Sequence, residues 1–259
     1  MKLVVYDLEV SPAMGFFYPP LYQTNILKVE KYQVLMSFSC ATFDGSKLSK
    51  IKHVQLSDFA ARFKKDRWDD TDVTKALYRE LEKADAVLAH NGKSFDNKMA
   101  NTFFIKAGLD PLPDFKTVDT LKAARTHFRF ASNKLDEIAK ELGIEGKTAV
   151  TVGALWHDYM ITPNWKKAGK LLKAYNNQDI QALFDIYMKL RPFIKNHPNV
   201  AIYGDKHSCP VCGGRNLKSN GIRATNTMIY RRLNCNDCGA PIKARLSDKD
   251  DQNKPEYMR

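Results

Sequence analysis

Leu3-Val4-Val5-Tyr6-Asp7-Leu8-Glu9-Val10 is the stretch on which the reading of this chain turns. Its apolar residues describe a buried central strand, yet two carboxylates stand inside it at a spacing of two. Residues i and i+2 of a strand face the same side, so Asp7 and Glu9 project together near the strand's end. Side by side in a low-dielectric place, two like charges are costly unless a cation neutralises them. Mg²⁺ and Mn²⁺, hard and oxygen-liganded, meet that need. The competing reading is a strand end with two solvated acids, and D-x-E alone does not separate the two.

Beyond this strand, Ser11-Pro12 opens an aromatic loop with Phe16, Phe17, Tyr18, Pro19, Pro20 and Tyr22, able to stack on nucleic-acid bases or to pack over a sheet edge. Residues 34–43 and 51–56 read as strands around an Asp44-Gly45 turn, and 57–71 as irregular and charged. Val73, Ala76, Leu77 and Leu81 form a helical stripe over 72–83. Ala86-Val87-Leu88-Ala89 is another short buried strand, running into His90-Asn91-Gly92-Lys93-Ser94-Phe95-Asp96 and a helix over 97–107. Asp96 thus stands at a helix start, where an acid is favourable on electrostatic grounds alone.

Residues 116–121 read as a fifth strand, followed by a helix from Leu135 that Ser132 or Asn133 caps and Gly143 ends. A short helix near 152–159 precedes a long one over 165–190, closed by Pro192 and a linker at 196–199. On the long helix Tyr175 and Asp179 lie one turn apart on one face, a spacing that also suits a plain local hydrogen bond. Alternating strands and helices imply a three-layer α/β domain over residues 1–200. Four of its acids, Asp7, Glu9, Asp96 and Asp179, are enough for two hard cations.

A chain of 259 residues has room for one large domain and a small appendage. No apolar run approaches the ~20 residues of a membrane span, and no signal-peptide pattern opens the chain, so the expected location is the cytoplasm, without membrane association. Lys+Arg of 41 against Asp+Glu of 29 gives a net charge of +12, which favours a polyanionic partner. Residues 206–247 hold eight Lys/Arg and one acid, Asp237, so over half the excess lies there. Cys209, Cys212, Cys235 and Cys238 lie in the same piece as two C-x-x-C pairs, the spacing of a structural zinc ribbon. His207 is a substitute ligand that four cysteines make unnecessary, and Cys40 reads as a small core residue. A strand is expected over 227–233, and residues 248–259 read as a flexible tail. Arg223, Tyr230, Arg231, Arg232, Lys243 and Arg245 make the ribbon a nucleic-acid clamp or, alternatively, a protein-docking module.

Asp7-x-Glu9, Asn91-x-x-x-Phe95-Asp96 and Tyr175-x-x-x-Asp179, in that order, resemble the three motifs of the DEDDy 3′-to-5′ exonucleases of the ribonuclease H-like superfamily. Ala174 stands where the histidine subclass has its His. With Asp7 to Pro12, the stretch 128–136 and the terminal ribbon, the chain looks closest to a phage-encoded exonuclease group. The resemblance implies a ribonuclease H-like domain with a mixed central sheet, and two Mg²⁺ or Mn²⁺ ions held by Asp7, Glu9, Asp96 and Asp179. It implies that Tyr175 orients the attacking water. It also implies substrate contacts from Asn91, Lys93, Phe95, Ser132, Asn133 and Lys134, the last three with a capping role as their alternative. DNA is the favoured substrate and RNA the close alternative, for a monomer with no protein partner indicated. A structure-selective endonuclease on the same metals and a non-catalytic replication adaptor are the other readings.

Overall fold

The computed structural model of the protein describes residues 1–18, 26–144, 152–226, 228–245 and 257–258. β1 is Leu3–Val10, as the sequence predicts. A hairpin of β2 (Met14–Phe17) and β3 (Ile26–Lys31) follows, then β4 (Leu35–Phe43) and β5 (Lys52–Gln55). Next come α1 (Ala60–Lys65), α2 (Thr71–Leu81), β6 (Ala86–Ala89), α3 (Asp96–Lys106), β7 (Lys116–Asp119) and α4 (Thr120–His127). α5 (Leu135–Glu141), α6 (Val152–Met160) and the 26-residue α7 (Trp165–Leu190) complete this part. β8 (Leu217–Ala224), β9 (Ile229–Cys235), β10 (Pro241–Arg245) and β11 (Tyr257–Met258) form a separate sheet.

The main sheet has five strands in the order β5-β4-β1-β6-β7. β1 runs antiparallel to β4 and parallel to β6, which makes the sheet mixed. Alternation along β1 divides the core in two. Val4, Tyr6 and Leu8 join Leu77 and Leu81 of α2 and Phe103 and Phe104 of α3. Leu3 and Val5 join Ile138 of α5 and Ile180, Leu183, Ile186, Tyr187 and Leu190 of α7 on the other face. The α7 residues recur at steps of three and four, one helical stripe. Each such side chain contributes roughly 1.5–3 kcal/mol by burial, so α7 is held firmly against β1. Asp7 and Glu9 share the parity of Leu3 and Val5 and therefore face α7.

Several expectations shift. Residues 14–17, read as loop, pair into the hairpin with Phe16 and Phe17 exposed, so they do not pack as a lid on the core; Pro19, Pro20 and Tyr22 lie outside the described residues. The charged stretch 57–71 contains α1, which buries Phe63 alone. The fifth strand ends at Asp119, whose carboxylate accepts from the Lys122 amide and starts α4, a helix the periodicity does not predict. Neither Ser132 nor Asn133 caps α5: its N-cap is Lys134, and Ser132 Oγ accepts from the Lys134 amide at 3.3 Å just ahead of it. The ribbon strand begins at Ile229, and Thr227 lies outside the described residues. So does the tail expected over 248–259, except that Tyr257 and Met258 pair with β10.

Candidate active site

Carboxylate oxygens of Asp7, Glu9 and Asp179 lie within 4.8 Å of one another. β1 supplies two of them because the strand alternates, and α7 supplies the third because its apolar stripe turns Asp179, 5% exposed, toward the sheet. Asn176, fully buried on the same helix, donates Nδ2 to Asp7 Oδ2 at 2.6 Å and fixes that carboxylate. Across from β1, Ser39 on β4 pairs with Asp7, and its hydroxyl donates to Asn177 Oδ1 at 2.8 Å. His53 Nδ1 is 2.9 Å from the same hydroxyl. Small polar residues thus lie under the Tyr175–Asp179 turn, and Tyr175 itself is half-buried there.

Asp96 stands outside that trio, as the first residue of α3 and only 3% exposed. Burial pushes its carboxyl up to about 7; its own amide and that of Leu8 pull the other way, and the Asp119 charge adds to the rise. The Leu8 contact places Asp96 beside β1, next to Asp7 and Glu9. The three clustered carboxylates form a donor set suited to hard divalent cations rather than to soft ones.

The turn before α3 is tightly built. Asn91 takes a left-handed φ of 68°, and its carbonyl accepts from the amides of Ser94 and Phe95, both at 3.0 Å. At Gly92 a Cβ would meet the Ala89 Cβ at 2.6 Å, so only glycine allows the approach. Asp119 clamps the turn by accepting from Asn91 N at 3.1 Å and Lys93 N at 3.2 Å. The sequence reading misses both Asp119 and Asn176. An acid at the carboxyl end of a parallel strand, where ligands of open α/β sheets gather, is the available signal for the first; nothing marks the second.

Lys93 and Phe95 are exposed at the rim of this turn, Phe95 at 42%. The Asn133 carbonyl lies 3.0 Å from His90 Nε2, which ties the 132–134 stretch to the same rim, with Lys134 exposed. Tyr230, Arg231 and Arg232 stand on β9, in the second sheet. Adjacent strand residues alternate, so Arg231 and Arg232 point to opposite faces.

The second cluster is Cys209, Cys212, Cys235 and Cys238. Their sulfurs are 3.8 Å apart for Cys209–Cys238 and 3.6 Å for Cys212–Cys235, and none is disulfide-bonded. A tetrahedron with Zn–S bonds of about 2.3 Å has edges near 3.8 Å, so the thiols fit that ion. Gly213 and Gly239, at φ of 77° and 76°, turn the two knuckles, each donating to the carbonyl of the first cysteine of its pair at 2.8 Å. His207 is not in the cluster. Cys40 is buried, its thiol pushed up to about 12 by that burial, as a core residue should be.

A family model described as the RNase H superfamily matches residues 38–191. Among solved structures, the family B DNA polymerase from the hyperthermophilic archaeon Pyrobaculum calidifontis is similar in fold, with a TM-score of 0.54 at 14% identity. The similarity covers 74% of this chain and 25% of the polymerase, so the chain spans about a quarter of that protein's length. No curated protein matches the sequence significantly. Among the described residues no helix is long and apolar enough to cross a membrane.

Proposed function

The chain belongs to the RNase H superfamily, whose model spans more than half of it, and from that premise we propose that it is a divalent-metal-dependent 3′-to-5′ exonuclease. One observation carries the reading: carboxylates far apart in sequence, Asp7, Glu9 and Asp179, converge within 4.8 Å. Mg²⁺ or Mn²⁺ held there supplies a nucleophilic water and charge neutralisation at the leaving oxygen. Asp7, Glu9 and Asp179 would hold the first ion and Asp96 would serve the second. Asn176 keeps Asp7 oriented by its 2.6 Å hydrogen bond. Tyr175 positions the attacking water through its hydroxyl, which can both donate and accept.

Asn91, Lys93 and Phe95 contact the terminal nucleotide from the turn that Asp119 clamps, and Ser132, Asn133 and Lys134 contact a phosphate beside them. The proposed organisation is a nuclease domain over 1–200 and a four-cysteine zinc ribbon over 206–247, in which Tyr230, Arg231 and Arg232 bind nucleic acid. DNA is the proposed substrate, the monomer the proposed state and the cytoplasm the proposed location. The fold shared with a DNA polymerase and the resemblance of the motifs support DNA over RNA. The test is a ladder experiment: single-stranded DNA and RNA, labelled at either end, incubated with Mg²⁺. Mononucleotides released from the 3′ end by the wild type, and none by Asp7→Ala, are expected. Internal cuts, or full cleavage by Asp7→Ala, contradict the proposal.

A further inference from the structure

A groove of about 670 Å³ lies between the ribbon sheet and the chain just past α7, within the range of ligand-binding clefts. Its walls bring together Lys195 from one side and Arg223, Arg232 and Lys243 from the other, and among the described residues no carboxylate lines it. The register of β9 and β10 sets Lys243 directly opposite Arg232. Like charges facing each other across a strand pair cost stability. An anion between them removes that cost, so the cation pair points to an anionic occupant. Phe193, 54% exposed, adds a flat apolar face, and its ring is held edge-on against Phe128 at 5.0 Å. Charge together with an exposed aromatic is the pattern that tracks an unpaired strand, phosphates on the cations and a base on the ring.

The length of α7 sets the scale of the separation between the groove and the acids. Leu190, where α7 ends, is eleven residues past Asp179, about 16 Å along the helix at 1.5 Å per residue. At about 3.4 Å per stacked nucleotide, that is on the order of five nucleotides. We propose that the groove holds single-stranded nucleic acid about five nucleotides from the end being hydrolysed. The distance to the end rests on the nuclease reading; the binding itself rests on the groove's charge and shape.

The test uses the zinc-loaded full chain with Ca²⁺ in place of Mg²⁺, and measures fluorescence anisotropy of a labelled trinucleotide and of a thirty-nucleotide single strand. The wild type should bind the long strand at least tenfold tighter than the trinucleotide. Lys195→Glu/Lys243→Glu should lose that preference, and its log–log salt slope should flatten by about 1.4, at roughly 0.7 per phosphate. Phe193→Ala should weaken the long strand about tenfold and leave the salt slope in place. Zinc content and thermal melting show that each variant is folded; a double variant that fails them is replaced by Lys243→Gln, expected to flatten the slope by about 0.7. Unchanged affinity and slope in the charge variants overturn the proposal, and so does poly-glutamate displacing the strand as effectively as unlabelled oligonucleotide. A wild type that cleaves in Mg²⁺ while the variants bind as it does removes the groove alone. One that binds through the groove yet cleaves nothing removes the nuclease reading alone.

Discussion

Asp96→Asn should make the protein more stable in the absence of Mg²⁺ or Mn²⁺ while destroying its activity. Asp96 is 3% exposed, and burial lifts its carboxyl from an ordinary 3.8 to about 7. In the folded state the group therefore binds a proton more tightly than in the unfolded chain. Between pH 4 and 7 the folded state holds more protons, so stability falls as pH rises through that window and is level above it. At about 1.36 kcal/mol per tenfold, the ionisation cost at pH 8 is on the order of 4 kcal/mol. At pH 5 it is roughly 2 kcal/mol. An amide is neutral throughout and can still accept from the Leu8 N–H. Zinc-loaded protein free of magnesium, melted at pH 5 and pH 8, should show the variant's advantage growing with pH, to about 10 °C at pH 8. Added Mg²⁺ should raise both midpoints, the wild type's by more, because the variant keeps the Asp7, Glu9 and Asp179 cluster and loses only the second ion's ligand. A variant no more stable than wild type at pH 8, or an advantage independent of pH, would refute the reasoning.

Tyr175→Phe should lower turnover with substrate affinity nearly unchanged, as read from initial rates over a range of oligonucleotide concentrations. Asn176→Ala removes the 2.6 Å donor to Asp7 and should weaken Mn²⁺ binding about 10- to 100-fold, measured by calorimetry. Cys238→Ser should abolish stoichiometric zinc and unfold β8 to β10, visible as amide exchange, because among the described residues the ribbon's cluster buries little beside its cysteines: Val211, Ala240 and Ile242, with Leu217 and Leu233 half-buried against them. Leu183→Ala, at 1% exposure on the α7 stripe, should cost about 2–5 kcal/mol in urea denaturation.

What could be read from the chain itself follows from periodicity. β1 and α7 were legible because burial on one face imposes spacing of two or of three and four, and the same spacing pairs Asp7 with Glu9 and Tyr175 with Asp179. The knuckles were legible because four thiolates around one small ion leave little freedom in spacing. α4 was not legible: of its eight residues only Thr120, Ala123 and Ala124 are buried, too small a stripe to stand out. The β2–β3 hairpin hid for the opposite reason, since Phe16, Phe17, Ile26 and Leu27 are exposed apolar residues with no alternation to mark a face. Asp119 and Asn176 act through hydrogen bonds to distant partners, and the groove exists only where β9 and β10 meet the end of α7. Relations of that kind leave no local trace.

The central claim is that the Asp7, Glu9 and Asp179 carboxylates hold a divalent cation. Mn²⁺ binding followed by electron paramagnetic resonance, on zinc-loaded wild type beside Asp7→Ala and Asp179→Ala, tests it most directly. The wild type should take up Mn²⁺ at micromolar to millimolar concentrations, and each variant should lose that uptake while melting as a folded protein. Equal uptake by wild type and both variants would contradict the account.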